Sequence, residues 1–372
     1  MNDILNPFQL QGYSGAAYFC DRKEELRFLK EAIQNQRNVS IISLRRLGKT
    51  ALIKHLFKSQ RTSISIFIDI YRTSSQKEMI MRLIEECIGQ IGKPTTSFLT
   101  KISQLFRSLE LSMSLDPITG VPQIAAGLRQ GQEESIALAE LFKFLEGQDK
   151  RVVIAIDEFQ QVLDYPEQTT EALLREHVQG LRNVNFIFSG SNKRMLQAIF
   201  SNSRRPFYQA TEPLYLGKID TDIYADFIQS HFKAAHRIMP YETILNGLAW
   251  CRTHTYHVQY LFNRLYSLGL KNYSEKDMRE VQTSILKERA PEFMTLIRLL
   301  SNHQAALLKA IAKEGQVKSP TSITFIITHE LSAVSTVSQS LKSLLDKELI
   351  HEEASEYLVS DVFLSRWLAS DI

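Results

Sequence analysis

The sequence predicts an α/β fold, a parallel sheet covered by helices on both faces, followed by a helical region and a C-terminal winged helix. Three observations carry that expectation. Short apolar runs alternate with helical patterns over residues 21–210, a Gly-Lys-Thr loop stands between the first run and a helix, and residues 296–372 read as three helices and a short strand pair.

Residues 1–20 hold Asn6-Pro7-Phe8 and then Gly12, Ser14 and Gly15. Turn formers dominate, so an extended arm lying on another part of the molecule is expected. Asp21 can cap a helix whose apolar positions are Leu26, Leu29 and Ile33. Residues 39–43, 64–68, 152–156 and 186–188 are β-rich apolar runs, each too short for a helix. Near-continuous apolar strands between helices are the pattern of a parallel sheet buried on both faces. A helical region between the second and third runs is interrupted at 109–128, where Asp116-Pro117-Ile118-Thr119-Gly120 reads as the turn of an inserted hairpin. Residues 211–295 read as helical with few strand signals. In 296–372, a helix over 305–312 ends near Gly315, Ser319-Pro320 opens a second, and 332–347 carries Val334, Val337, Leu341, Leu344 and Leu345 at helical spacing. Two short strands then flank an acidic turn at 351–356, the order of a winged helix-turn-helix.

At 372 residues the chain has room for two or three domains, and 44% hydrophobic with 23% charged residues is ordinary soluble usage. A disordered chain, a collagen and a disulfide-stapled miniprotein are excluded. The net charge of +3 gives no bulk attraction to nucleic acid or anionic membrane. Cys20, Cys87 and Cys251 are far apart and form no CxxC pair, which fits a reducing compartment. With no signal-peptide pattern and no apolar run long enough to span a bilayer, a cytoplasmic location is expected.

The strongest local signal is Ser43-Leu44-Arg45-Arg46-Leu47-Gly48-Lys49-Thr50, between an apolar strand and a helix that starts near Ala51. Strand, loop, helix is the setting a phosphate-binding loop requires. Backbone N–H groups from Arg45 through Ala51 can converge on phosphate oxygens, helped by the helix dipole. Lys49 would neutralise the β- and γ-phosphates of ATP or the diphosphate of ADP, and the Thr50 hydroxyl would ligate Mg²⁺. The first glycine of the usual motif is replaced by Ser43, so the backbone there must keep an ordinary φ or carry mild strain.

The run 151–156 ends in Asp157-Glu158. Ligands of open α/β sheets sit at the carboxyl ends of the strands, so both acids are expected on the same edge as the loop. Asp157 would hold Mg²⁺, directly or through water, and Glu158 would accept a proton from the attacking water or orient it. Alone, the pair would read as a solvated turn; the upstream loop decides otherwise. The run 186–188 ends in Ser189-Gly190-Ser191, and Ser189 or Ser191 could reach the γ-phosphate or the water, although a plain turn explains the segment equally well. Arg204 and Arg205 could stabilise charge on a neighbouring subunit's nucleotide. A solvated basic loop is the simpler explanation.

These segments together resemble the archaeal-type ATPases of the STAND/AAA+ group of P-loop NTPases, including their bacterial members. The likeness rests on Asn6-Pro7-Phe8, on 19–26 with Asp21-Arg22, on Arg45-Arg46-Leu47-Gly48-Lys49-Thr50, on Ile156-Asp157-Glu158-Phe159-Gln160, on Phe188-Ser189-Gly190-Ser191 and on Arg205-Pro206-Phe207-Tyr208. The double arginine before Gly-Lys-Thr is its most distinctive element. The resemblance implies an AAA+-like core that binds ATP, a helical lid over 211–295 and a winged helix. It implies that Pro7, Phe8 and Arg22 lie near the base or ribose, with the arm of residues 1–20 packed on the nucleotide site. It also implies that His254-Thr255-Tyr256-His257-Val258-Gln259 is the lid motif, with Thr255 where proline is usual and Tyr256 at the nucleotide. Without it, His254 and His257 would read as ordinary core or surface histidines.

Winged helices often bind DNA, so the charge matters. From Arg298 to Ile372 there are seven Lys/Arg against nine Asp/Glu, a balance of −2. The recognition-helix segment has no basic residue before Lys342, and the wing carries Glu352, Glu353 and Glu356. Phosphate contacts dominate nucleic-acid affinity, so a protein-facing or intramolecular role ranks above DNA binding. The expected activity is a Mg²⁺-dependent ATPase acting as a nucleotide-driven switch, with a protein partner through the lid or winged helix and self-association open. The alternatives are a nucleotide-binding interaction module with little turnover and a DNA-binding regulator.

Overall fold

The computed structural model describes residues 6–60, 62–92, 106, 108–115, 122–129 and 133–370. It divides into two compact units: residues 12–217, and residues 6–11 together with residues 218–370. The arm read as one stretch over 1–20 is thus split between them.

The first unit holds strands β1 (Val39–Ile42), β2 (Ile64–Asp69), β3 (Leu109–Leu115), β4 (Pro122–Leu128), β5 (Val152–Asp157), β6 (Val184–Ser189) and β7 (Glu212–Tyr215). Five form one sheet in the order β2-β5-β6-β1-β7, and all neighbours in it are parallel. Alternate side chains fill two cores. Ile154, Ile156, Phe186 and Phe188 pack on one face, while Val153, Ala155, Ile187 and Ile41 pack on the other. Burial on both faces is why β5 and β6 read as continuous apolar runs. Among the described residues, no helix is long and apolar enough to cross a membrane.

Residues 211–217 depart from the sequence reading. They belong to the sheet through β7, not to the lid. This strand sits at the sheet edge, alternates half-buried with exposed positions, and contains Pro213. Proline is tolerated at an edge, but a four-residue strand of that texture gives no apolar signal. The inserted hairpin is present as β3 paired antiparallel with β4 from Leu109↔Leu128 to Leu115↔Pro122. Its expected turn at Asp116–Gly120 lies outside the described residues.

Helices α1 (Lys23–Gln34) and α2 (Lys49–Ser59) cover one face, and α3 (Gln76–Ile91), α4 (Glu134–Glu146), α5 (Thr170–Val178) and α6 (Lys193–Ser201) cover the other. Asp21 does not cap α1. Asp21 and Arg22 are both left-handed, at φ 56° and 68°, and the capping position is Arg22, with no side-chain cap. Glu24 and Glu25 supply the favourable charge of the first turn instead.

The second unit contains α7 (Thr221–Ala234), α8 (Tyr241–Trp250), α9 (Thr255–Ser267) and α10 (Glu275–Arg298). The winged helix follows as α11 (Asn302–Glu314), α12 (Ile323–Thr328), α13 (Val334–Asp346), β8 (Ile350–Glu353), β9 (Glu356–Val359) and a further helix α14 (Val362–Ala369). Its second helix is capped by Ser322, which accepts from the Phe325 N–H, and not by Ser319. The wing turn shrinks to Ala354-Ser355, at φ 50° and 63°, because β8 and β9 pair as far as Glu353↔Glu356. Two left-handed residues match the twist of a tight hairpin.

Helices α8, α9 and α10 share a polar and aromatic junction with the winged helix. Asp361 caps α14 through the Phe363 and Leu364 N–H groups at 2.8 and 3.0 Å, and faces His257 Nε2 at 3.3 Å and Arg289 at 3.6 Å. Phe363 is fully buried against Trp250, His257 and Tyr260. Burial opposes ionisation of Asp361. The hydrogen bond and charge of His257, the Leu364 N–H and Arg289 outweigh it and hold the carboxyl well below the usual carboxylate range. A depressed folded-state pKa stabilises above the unfolded value of about 3.9 and is lost as pH falls through it. Asp361→Asn is therefore expected to cost about 1–3 kcal/mol at pH 7. In thermal denaturation the gap between wild type and variant should narrow below about pH 4.

Candidate nucleotide site

Because the sheet is parallel, the loops after β1, β5 and β6 emerge at one edge. The first is the phosphate loop. Ser43 is 2% exposed and is not among the residues with positive φ, so serine fits where the motif usually has glycine. The left-handed positions fall later, at Arg46 (φ 63°) and Gly48 (φ 97°), just before α2 starts at Lys49. Leu47 is buried in the core and pins the middle of the loop, whereas Arg45 and Arg46 are exposed.

Arg22 supports this loop from outside. Its guanidinium is buried, pairs with Glu25 at 2.8 Å and donates to the Leu47 carbonyl at 3.3 Å and the Gly217 carbonyl at 2.8 Å. It spans from the loop to the last residue of the first unit.

The Lys49 ammonium, 6% exposed, donates to Ser43 Oγ at 2.9 Å and to the Leu44 carbonyl at 3.2 Å. The next residue reaches across the edge: Thr50 Oγ1 donates to Asp157 Oδ2 at 2.8 Å. The other oxygen, Asp157 Oδ1, accepts from Ser189 Oγ at 2.6 Å. Ser189 is fully buried, and its hydroxyl engages Asp157.

Oxygens in an octahedron around Mg²⁺ at about 2.0–2.1 Å lie roughly 2.9 Å apart along an edge. The Thr50–Asp157 separation of 2.8 Å fits that spacing, and both donors are hard oxygens of the type the ion prefers. These residues fit the ion.

Glu158 follows in left-handed backbone, at φ 58° and ψ 37°, uncommon for a residue with a side chain. Its Oε2 accepts from Gln160 Nε2 at 2.5 Å, Ser191 Oγ at 2.6 Å and the Ser191 N–H at 3.2 Å. Sequence reasoning missed Gln160 and left Ser191 as an alternative to Ser189. The contact joins a helical turn to the tip of another strand, and nothing in either local pattern signals it.

The remaining candidates divide. Pro7, Phe8 and Tyr256 belong to the second unit. Phe8 is fully buried among His231, Phe232, Phe262 and Tyr266, while Asn263 donates to its carbonyl at 2.7 Å. Tyr256 lies in the first turn of α9 with its ring 5.3 Å from His257. His254 and His257 are both buried. Arg205 pairs with Glu171 of its own chain, and Arg204 is exposed. Ala51 is half-buried in the first turn of α2.

A five-stranded parallel sheet with a glycine-lysine-threonine loop, an acidic strand end facing it and a strand with a polar tip between them defines a P-loop ATPase core. A family model described as "ATPase domain predominantly from Archaea" matches residues 19–240, more than half the chain, and the chain belongs to that family. A second model, described as "Probable winged helix domain", matches residues 291–370. No curated protein sequence matches. Among solved structures, the Walker-type ATPase PABY2304 of Pyrococcus abyssi is similar at a TM-score of 0.68 and 19% identity, over 97% of this chain and 99% of that one. The Aeropyrum pernix ORC2 protein in ADPNP–ADP complexes is similar at 0.62 and 15% identity, over 98% and 95%. The Aeropyrum pernix ORC1 protein in complex with DNA is similar at 0.51 and 12% identity, over 95% and 93%. At these identities the likeness is one of fold.

Proposed function

We propose that this chain binds ATP at the loop of residues 43–50, hydrolyses it to ADP and phosphate, and works as a nucleotide-driven switch. The observation that supports it most is the Thr50–Asp157 contact, with Lys49 beside it and Glu158 next in sequence. Four residue types that phosphoryl transfer uses converge from two loops on one sheet edge.

Water attacks the γ-phosphorus in line, the bond to the β–γ bridging oxygen breaks, and ADP leaves. Thr50 and Asp157 would hold Mg²⁺, which supplies charge neutralisation on the β- and γ-oxygens when bound. Lys49 exchanges Ser43 Oγ and the Leu44 carbonyl for phosphate oxygens. Glu158 takes the water's proton. Arg22 gives the switch a route, since it bonds both the loop carbonyl of Leu47 and Gly217, where the first unit ends.

Phosphate release from ATP, with Mg²⁺ and with chelator, tests this reading. Mg²⁺-dependent release is expected. Tight nucleotide binding without release would favour the low-turnover module instead.

The winged helix is assigned a protein-facing role. Ile323, Ile327 and Val334 are 71%, 70% and 48% exposed on α12 and α13, and the wing is acidic. A gel-shift assay with random duplex at low salt is expected to show no complex; a salt-sensitive shift would reverse the assignment.

A further inference from the structure

We infer that Gln160, acting with Ser191, is a positioning residue that sets which oxygen of Glu158 meets the attacking water. The inference rests on the hydrolytic reading above and adds residues to it.

Among the described residues, three donors to the glutamate converge on one oxygen. Gln160 Nε2, Ser191 Oγ and the Ser191 N–H take Oε2 at 2.5, 2.6 and 3.2 Å. A carboxylate fixed by one oxygen from two directions can no longer spin about its terminal torsion. Oε1 is then the oxygen held for the water, and it receives the proton while Oε2 stays bonded to the protein.

Gln160 does not hold this place for its own sake. It is 8% exposed, and among the described residues its buried Oε1 has no hydrogen-bond partner. Turning the amide over would set that oxygen against the glutamate's own oxygen, so the orientation follows from the contact. The carbonyl end also occupies the space a side chain at 190 would need. A Cβ on Gly190 would fall 2.0 Å from Gln160 Oε1 and 3.1 Å from its Cδ. Gly190, between Ser189 and Ser191, thus makes room for the amide. Glu158 itself sits in left-handed backbone. An orphaned buried acceptor and a strained backbone one contact apart are the marks of a segment arranged for function and not for stability.

Gln160→Met keeps the length and bulk and removes the donor; Ser191→Ala removes the second side-chain donor. Each is expected to lower kcat for ATP hydrolysis about 10–100-fold. KM, ADP affinity and melting temperature should stay near wild type. In a Glu158→Gln background neither should lower the rate further, since both act through that carboxylate. In a crystal structure of Gln160→Met the Glu158 carboxylate should have turned away from its present position. Wild-type kcat in Gln160→Met, or an equal further loss in the Glu158→Gln background, would overturn the positioning role. A loss of kcat that merely follows a loss of melting temperature would overturn it too. Wild-type protein that binds nucleotide without turnover would instead overturn the hydrolytic reading. The crystal then decides, and an unmoved Glu158 ends the positioning role as well.

Discussion

Glu158→Gln protein is expected to bind ATP as tightly as wild type and to turn it over about 10²–10⁴ times more slowly, the usual range for loss of a general base. Glutamine keeps the length and planarity of the side chain, and an amide oxygen can still accept from Ser191 Oγ, now 2.6 Å from Glu158 Oε2. What it cannot do is take a proton from water. The change leaves the loop, Lys49 and Asp157 untouched, so affinity measured with a fluorescent nucleotide should not move. Single-turnover kinetics with saturating Mg²⁺ and ATP would separate the chemical step from product release. Asp157→Asn should differ in kind. Asp157 accepts from both Thr50 and Ser189, so that variant disturbs the site's oxygen ligands and should weaken the dependence on Mg²⁺ as well as the rate. Equal rates for wild type and Glu158→Gln would remove Glu158 from the chemistry.

Which parts of this molecule could be read from sequence follows from where the constraint lies. β5 and β6 are buried at every position, so each writes a continuous apolar run into the chain. The phosphate loop is legible because its demands are local: a strand, a left-handed glycine at 48, a lysine and a hydroxyl in consecutive positions. β7 is invisible because an edge strand need satisfy only one neighbour, and Glu212 and Pro213 satisfy it without an apolar pattern. Ser319-Pro320 looks like a helix start, but Ser322 holds the capping bond, and only the backbone path chooses between two nearby serines. Phe8 could not be assigned by pattern at all. Its ring packs on residues 223 or more positions away, and a single aromatic after a proline says nothing about which distant helices will cover it. The same distance hides Gln160 from Ser191, 31 residues on, where a polar side chain after a strand looks like any turn.

The second large effect is expected at Lys49. Its ammonium is almost wholly buried and donates to Ser43 Oγ and the Leu44 carbonyl. A phosphate oxygen is a charged acceptor for the same ammonium, and the loop's N–H groups and helix α2 favour an anion at that spot. At about 4 Å and an effective dielectric near 20, one unit-charge pair is worth about 4 kcal/mol. That is roughly a thousandfold in affinity. Lys49→Ala is therefore expected to weaken ATP binding by roughly 10²–10³-fold and to abolish the rise in melting temperature that ATP gives wild type. Lys49→Arg should fail nearly as badly. A guanidinium is a planar fork that needs more room than the point charge now seated between Ser43 and Leu44. Ser43→Ala supplies the contrast, because it removes a resting contact of the ammonium and the hydroxyl's own bond to the Leu44 carbonyl but no charge, and should change affinity by no more than a few-fold. Isothermal titration of the three variants with ATP and Mg²⁺ orders these effects. If Lys49→Ala bound within a few-fold of wild type, the triphosphate could not lie where the loop and α2 direct it.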